Sequence, residues 1–206
     1  MQNANLAATP DHGATTIKVW DLPIRLFHWT LVIGFSSAYL TAKFHLNDIH
    51  TLIGYGLCIL LVGRIYLGFF GSHYSRFDSF VFSPSETVAY LRSMFGKHPA
   101  KHYLGHNPAG ALMVFSLLGV LALIFTTGLL TLATIDFEGP LLALEHHFSD
   151  ESSYAVRKLH EFLSNATLVL IALHLAGVAG GSIQHRENLV RAMITGNKRQ
   201  PQNSES

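Results

Sequence analysis

The chain is 206 residues long, one domain's worth, with 49% hydrophobic and only 13% charged residues; a soluble domain carries ~25% charged residues. With a mean hydropathy of +0.30, it is too apolar to be disordered and too poor in charge to cover a soluble surface. The formal net charge of +1 offers no footprint for nucleic acid. The single cysteine, Cys58, excludes an intrachain disulfide, a cysteine-based zinc site and a c-type haem attachment. Thirteen histidines, as many as Asp and Glu together, remain to be explained.

Residues 1–16 read as a polar tail, and the opening segment with Pro10, Asp11, Asp21 and Pro23 lacks the apolar stretch of a signal peptide. Four long apolar runs follow, at residues 24–42, 50–70, 109–133 and 159–182. A hydrocarbon core ~30 Å thick needs ~20 apolar residues as helix. Runs this long without alternation exclude a closed barrel. The expected fold is an all-α membrane protein, a four-transmembrane-helix bundle over residues 17–199, with a disordered tail at 200–206 and the last dozen residues frayed. Between the second and third runs, Ser83-Pro84-Ser85-Glu86 is a capping box. It opens a short amphipathic stretch through Val88, Leu91, Met94 and Phe95 to Gly96, expected to lie on the membrane surface. Asn107-Pro108 caps the third run in the same way. Eleven of the 14 Lys and Arg residues, Arg64 among them, fall on the side of the two termini and the 71–108 loop. Only Lys43, Arg157 and Lys158 fall on the other, which also carries Asp136, Glu138, Glu145, Asp150 and Glu151. The positive-inside rule therefore predicts both termini in the cytoplasm.

Four histidines lie within the spans: His28, His50, His160 and His174. An ionisable residue at membrane depth is a functional candidate by default. His160 and His174 share one helix 14 residues apart, which is ~21 Å of depth on nearly one face. Topology then pairs His28 with His174 at the inner level and His50 with His160 at the outer level. Neither level offers the third or fourth ligand that a bare metal ion wants. A six-coordinate haem needs only two axial ligands, and its flat apolar ring suits a helical bundle. Gly34, Gly54, Gly56, Gly63 and the 177–181 stretch fit either close helix packing or the edge of such a ring. Gly177 and Gly181 fit a homodimer contact equally well. Arg64 repeats the 14-residue spacing from His50; it reads either as a snorkelling arginine or as the partner of an inner-haem propionate. Glu161 reads as a proton acceptor or an interfacial acid. The roles of His102, His106, His146 and His147 stay open.

The segments VWDLPIRLFHW (19–29), IHTLIGYGLCILLVGRIYLGF (49–69), GHNPAGALMV (105–114), LHEFLSNATLVLIALH (159–174) and ENLVRAMITG (187–196) resemble the bacterial cytochrome b561 family. That family includes the b-type subunits of nickel hydrogenases and is similar to formate dehydrogenase gamma subunits. The resemblance implies two b haems, ligated by His28 with His174 and by His50 with His160. It also implies electron transfer between the quinone pool and a periplasmic partner, from the bacterial inner membrane. The GHNPAG loop and the WDLP opening depart from the hydrogenase subunits, which favours a stand-alone cytochrome or one paired with a soluble c-type cytochrome. Rival expectations are a superoxide:quinone oxidoreductase and the membrane anchor of a hydrogenase or dehydrogenase. Outside that class stands a histidine-lined proton or metal-ion transporter, against which the chain shows no internal repeat or broken helix.

Overall fold

A computed structural model describes residues 16–94, 103–184 and 186–199. Within these residues the chain is helical, with one two-stranded ribbon. Helix α1 (Leu22–Lys43) begins where the Asp21 side chain accepts from the backbone of Ile24, with Pro23 in its first turn. A tight turn through His45, which sits at φ 56°, leads into α2 (Asn47–Phe70). The capping box forms as the sequence predicts. Ser83 Oγ accepts from the Glu86 backbone N–H, and Glu86 Oε2 accepts from that of Ser83, opening α3 (Pro84–Met94). Asn107 caps α4 (Pro108–Thr134) through a 2.7 Å bond from Gly110. The long α5 (Asp150–Gln184) starts nine residues before the fourth apolar run, so Arg157 and Lys158 lie on the helix rather than in a loop. A seven-residue α6 (Leu189–Thr195) follows.

Strand β1 (Thr16–Lys18) pairs antiparallel with β2 (Asn197–Arg199). The described residues therefore run, as helix, cap and strand, five residues into the last dozen, to Arg199. The ribbon also brings the first and last described segments to one end of the bundle. Val19, Trp20, Ile24 and Ala192 form a small core there, with Leu67, Tyr74 and Met193 against it. We call this the clasp end. Phe95, Gly96 and His102, together with the tails at 1–15 and 200–206, lie outside the described residues.

Three helices, α2, α4 and α5, are long and apolar enough to cross a membrane. Helix α1 has 22 residues, ~33 Å of rise, but is less apolar because Arg25, Ser36, Ser37, Thr41 and Lys43 dilute it. Two of these hydroxyls are nonetheless satisfied internally: Ser36 donates to the Val32 carbonyl and Thr41 to that of Ser37. Such back-bonding lets a hydroxyl sit in apolar surroundings. Large apolar side chains face outward on the bundle, among them Leu26, Ile33, Leu52, Ile59, Val62 and Phe69, the inverse of a soluble fold.

Helix α1 packs on α2 and α4 on α5, with a lighter contact between α2 and α4. Neither α1 nor α2 packs broadly on α5. The bundle is thus two helical hairpins with a slot between them, and only 6% of the apolar stretch of α5 is buried.

Candidate cofactor site

The slot is where the four span histidines meet. The imidazoles of His50 and His160 face each other with ring centroids 6.1 Å apart and planes at 87°. Those of His28 and His174 are 6.4 Å apart at 51°. Each pair joins a helix of the first hairpin to α5, so the pairs bridge the slot at two levels.

Bond lengths test what fits between the rings. Taking ~2.0 Å for a metal–imidazole bond and about 1.1 Å from ring nitrogen to centroid, two rings on opposite sides of one metal have centroids about 6.2 Å apart, whereas a tetrahedral angle would bring them to about 5 Å. Both pairs lie within a few tenths of an ångström of the former. Among the described residues no group of three His, Cys, Asp or Glu side chains gathers to hold an ion. A group that brings its own equatorial donors and asks the protein for two nitrogens therefore fits the donor set. Of the glycines, Gly34 is a packing residue, since a Cβ there would meet Leu57 Cδ2 at 2.7 Å. By contrast, a Cβ at Gly54 or Gly56 on α2, or at Gly177 or Gly180 on α5, meets nothing within 4 Å. Gly181 packs against Leu189.

Hydrogen bonds orient the second pair. His50 Nδ1 lies 2.9 Å from the Ala38 carbonyl, and His160 Nδ1 lies 2.9 Å from the Ile124 carbonyl. A carbonyl only accepts, so each Nδ1 carries the proton and each Nε2 keeps its lone pair for a metal. Thr127 Oγ1 stands 3.3 Å from His160 Nδ1, and Gly128 lets the ring lie against α4, where a Cβ would meet Cε1 at 3.0 Å. At the other level His28 Nδ1 is buried without a protein partner, and the edge of Trp29 abuts the His28 ring at 5.1 Å. Trp29 in turn donates to the Met193 carbonyl of α6.

Arg64 does not reach solvent; it is 4% exposed. Its guanidinium carbon sits 4.9 Å above the Phe77 ring, and Nη1 is buried without a partner. Cross-contacts in the α1/α2 hairpin set its level. Gly34 meets Leu57, Ala38 meets His50 and Asp21 meets Ser72, so Arg64 stands opposite His28. Sequence reasoning left His106 without a role, yet its ring is clamped between Trp20 at 4.8 Å and Phe80 at 4.3 Å. Burial, then the nearby Arg64 and Lys198 charges, push its pKa down to about 3. Lys198 is buried under Trp20 beside Glu187, 3.8 Å away; burial lowers its pKa and Glu187 partly restores it. Glu161 is held by Arg157 at 3.3 Å and Lys158 at 3.0 Å. His146 and His147 stack on each other at 4.0 Å on an exposed turn. The backbone acceptors at Ala38 and Ile124, and the bare face of Gly128, carried no signal that spacing alone could find.

Comparison with known proteins places the whole chain rather than its individual residues. The chain is 27% identical over 128 residues to proteins named "Probable Ni/Fe-hydrogenase B-type cytochrome subunit" from Azotobacter vinelandii and from Azotobacter chroococcum mcd 1. Each alignment covers 49% of this chain and 52% of the relative, so the match spans about half the length of those proteins. No solved structure matches. The family model described as prokaryotic cytochrome b561 matches residues 19–196, nearly the whole described bundle, and the chain belongs to that family.

Proposed function

We propose that this cytochrome is a four-span, di-haem relay of the bacterial inner membrane, carrying electrons between the quinone pool and a periplasmic redox protein such as a c-type cytochrome. The single observation behind the reading is that the slot is bridged twice, at two levels, by imidazole pairs at metal-bridging separation. His28 with His174 would hold the haem b at the clasp end, which is the cytoplasmic side, and His50 with His160 the haem b on the periplasmic side. Bound haem supplies one-electron chemistry at a potential set by its ligands and surroundings.

The protein's own residues bind and orient. Ala38 and Ile124 fix the ring tautomers of His50 and His160, and Gly128 leaves room for the latter ring. Arg64, opposite His28 and buried, offers its guanidinium to a propionate of the clasp-end haem. The ion pairs of Glu161 with Arg157 and Lys158 tie up two of the cations that a superoxide-attracting funnel would need, which disfavours the superoxide oxidase reading. A second reading, the membrane anchor of a hydrogenase, draws support from the names of the relatives. Affinity purification from the native membrane separates them: a hydrogenase-type subunit retained in stoichiometric amount favours the anchor, and a chain that purifies alone favours the stand-alone relay.

The primary test is a reduced-minus-oxidised spectrum of the purified protein with extracted haem measured against protein. Two b haems per chain are expected. One haem would remove a level from the relay, and none, in cells with ample haem, would overturn the reading.

A further inference from the structure

We propose that Arg64 and His106 together form a buried oxyanion seat at the clasp end, which receives one carboxylate of the cofactor held by His28 and His174. This rests on the di-haem reading and extends it to a residue that reading leaves idle. Among the described buried polar atoms at this end without a protein hydrogen-bond partner are Nη1 of Arg64 and Nδ1 of His106. A buried donor left unpaired costs about 1–3 kcal/mol, more for a charged group, so a bound group that satisfies both is the economical explanation. Both residues converge on one aromatic cluster. Phe77 carries the Arg64 guanidinium on its face, Phe80 lies 6.0 Å from Phe77, and Phe80 carries the His106 ring.

The acids in range are already committed. Asp21 caps α1 with one oxygen and accepts from Ser72 with the other, and Glu187 serves Lys198. The field at His106 is positive, since Arg64 and Lys198 both oppose its protonation on top of its burial. A neutral imidazole that donates one N–H beside a guanidinium suits an anion with two oxygens, which is a carboxylate. Level agrees as well: Arg64 is opposite His28, and His106 lies just before the first turn of α4, further toward the clasp end. A haem carries its two carboxylates on one edge, and an edge turned toward the clasp delivers them here. An anionic lipid headgroup offers the same oxyanion chemistry, but the seat lies beneath Trp20 and Phe80 rather than on an open surface.

The test is a redox titration of the haem-loaded protein in lipid nanodiscs, with the clasp-end potential assigned using His160→Ala, which lacks the other level. His106→Phe keeps the ring packing and the net charge. It is expected to lower the clasp-end midpoint by a tenfold change in the oxidised-to-reduced ratio, about 59 mV for one electron, and to leave the other haem unmoved. Arg64→Gln is expected to lower it further, with the double variant short of the sum. His106→Gln restores a donor and is expected to hold the wild-type potential, which also covers a Phe variant that fails to assemble. Equal shifts at both haems, or none, with both haems bound would overturn the seat. So would an effect seen in discs containing phosphatidylglycerol and lost in pure phosphatidylcholine, which would assign the seat to a lipid. Wild-type protein that binds fewer than two haems would instead overturn the reading beneath it.

Discussion

An imidazole serves a metal only through the nitrogen that is not occupied elsewhere, so the backbone acceptors beside His50 and His160 matter as much as the rings. Gly128 tests this. A valine there pushes branched carbons into the His160 ring, already 3.0 Å from the position of a Cβ. Gly128→Val is expected to lose the His50/His160 haem and keep the other, halving haem per protein while the helical circular dichroism holds. Retention of both haems would show that the ring has slack. His106 supports a second prediction, made for the haem-free protein. Its folded-state pKa of about 3 lies below its ordinary 6.5, so between those values the unfolded chain takes up a proton that the folded one refuses. Stability from this group is complete above pH 6.5 and is lost as pH falls toward 3, at roughly 1.4 kcal/mol per pH unit at most. Thermal unfolding at pH 7.5 and 4.5 should show a smaller acid loss for His106→Phe than for wild type, and equal losses would refute the assignment. The approach of His28 to His174 and of His50 to His160 was legible in the sequence because an ionisable residue within a long apolar run is rare. His106 was not, because a histidine just ahead of a helix cap looks like any solvated one until Trp20 and Phe80 close over it.

Periodicity and capping chemistry made the long helices legible; the Ser83 box and the Asn107 cap form as read. The clasp was invisible, since Thr16–Lys18 and Asn197–Arg199 are three-residue strands far apart in sequence and polar in composition. What the clasp does follows from its bonds. Arg25 of α1 donates to the Thr195 carbonyl at 2.7 Å, Trp29 donates to that of Met193, and the α6 N–H of Leu189 reaches Ser182 of α5. Helix α6 therefore ties α1 to α5 at the end where His28 faces His174, across a slot the two helices do not close by packing on each other. Gly196 ends α6 at φ +88°, with the Trp20 carbonyl and Arg25 Nη1 within 2.8 Å of where a Cβ would stand. Gly196→Ala is expected to cost about 1–3 kcal/mol through left-handed strain and to loosen the clasp. In a haem-transfer assay to apomyoglobin, the His28/His174 haem should leave faster than in wild type while the other is unchanged. Equal release from both levels would mean that the clasp only stabilises the bundle as a whole.

The helical membrane class was readable from hydropathy through α2, α4 and α5, but the slot was not: which helices stay apart is decided by side-chain packing. At the scale of the whole molecule, the two levels lie 14 residues apart on α5, ~21 Å along the helix axis, and each is bridged from a different helix of the first hairpin. A relay across a bilayer needs both. Removing the His50/His160 level by His50→Ala leaves the clasp-end pair intact, because that pair draws on α1 and α5 and the clasp holds those helices together. The variant should therefore accept electrons on the clasp side and fail to pass them on. In proteoliposomes containing a trapped reductant, with a membrane-impermeant acceptor outside and the clasp oriented inward, wild type is expected to transfer electrons at a measurable rate. His50→Ala should fall to the leak rate while its remaining haem still reduces. Single cysteines introduced at Phe137 and Arg186 in a Cys58→Ser background fix the orientation, since an impermeant thiol reagent outside should label the first and not the second. Wild-type transfer undiminished in His50→Ala would mean that one level suffices, and the doubled bridge would then require an explanation other than a relay.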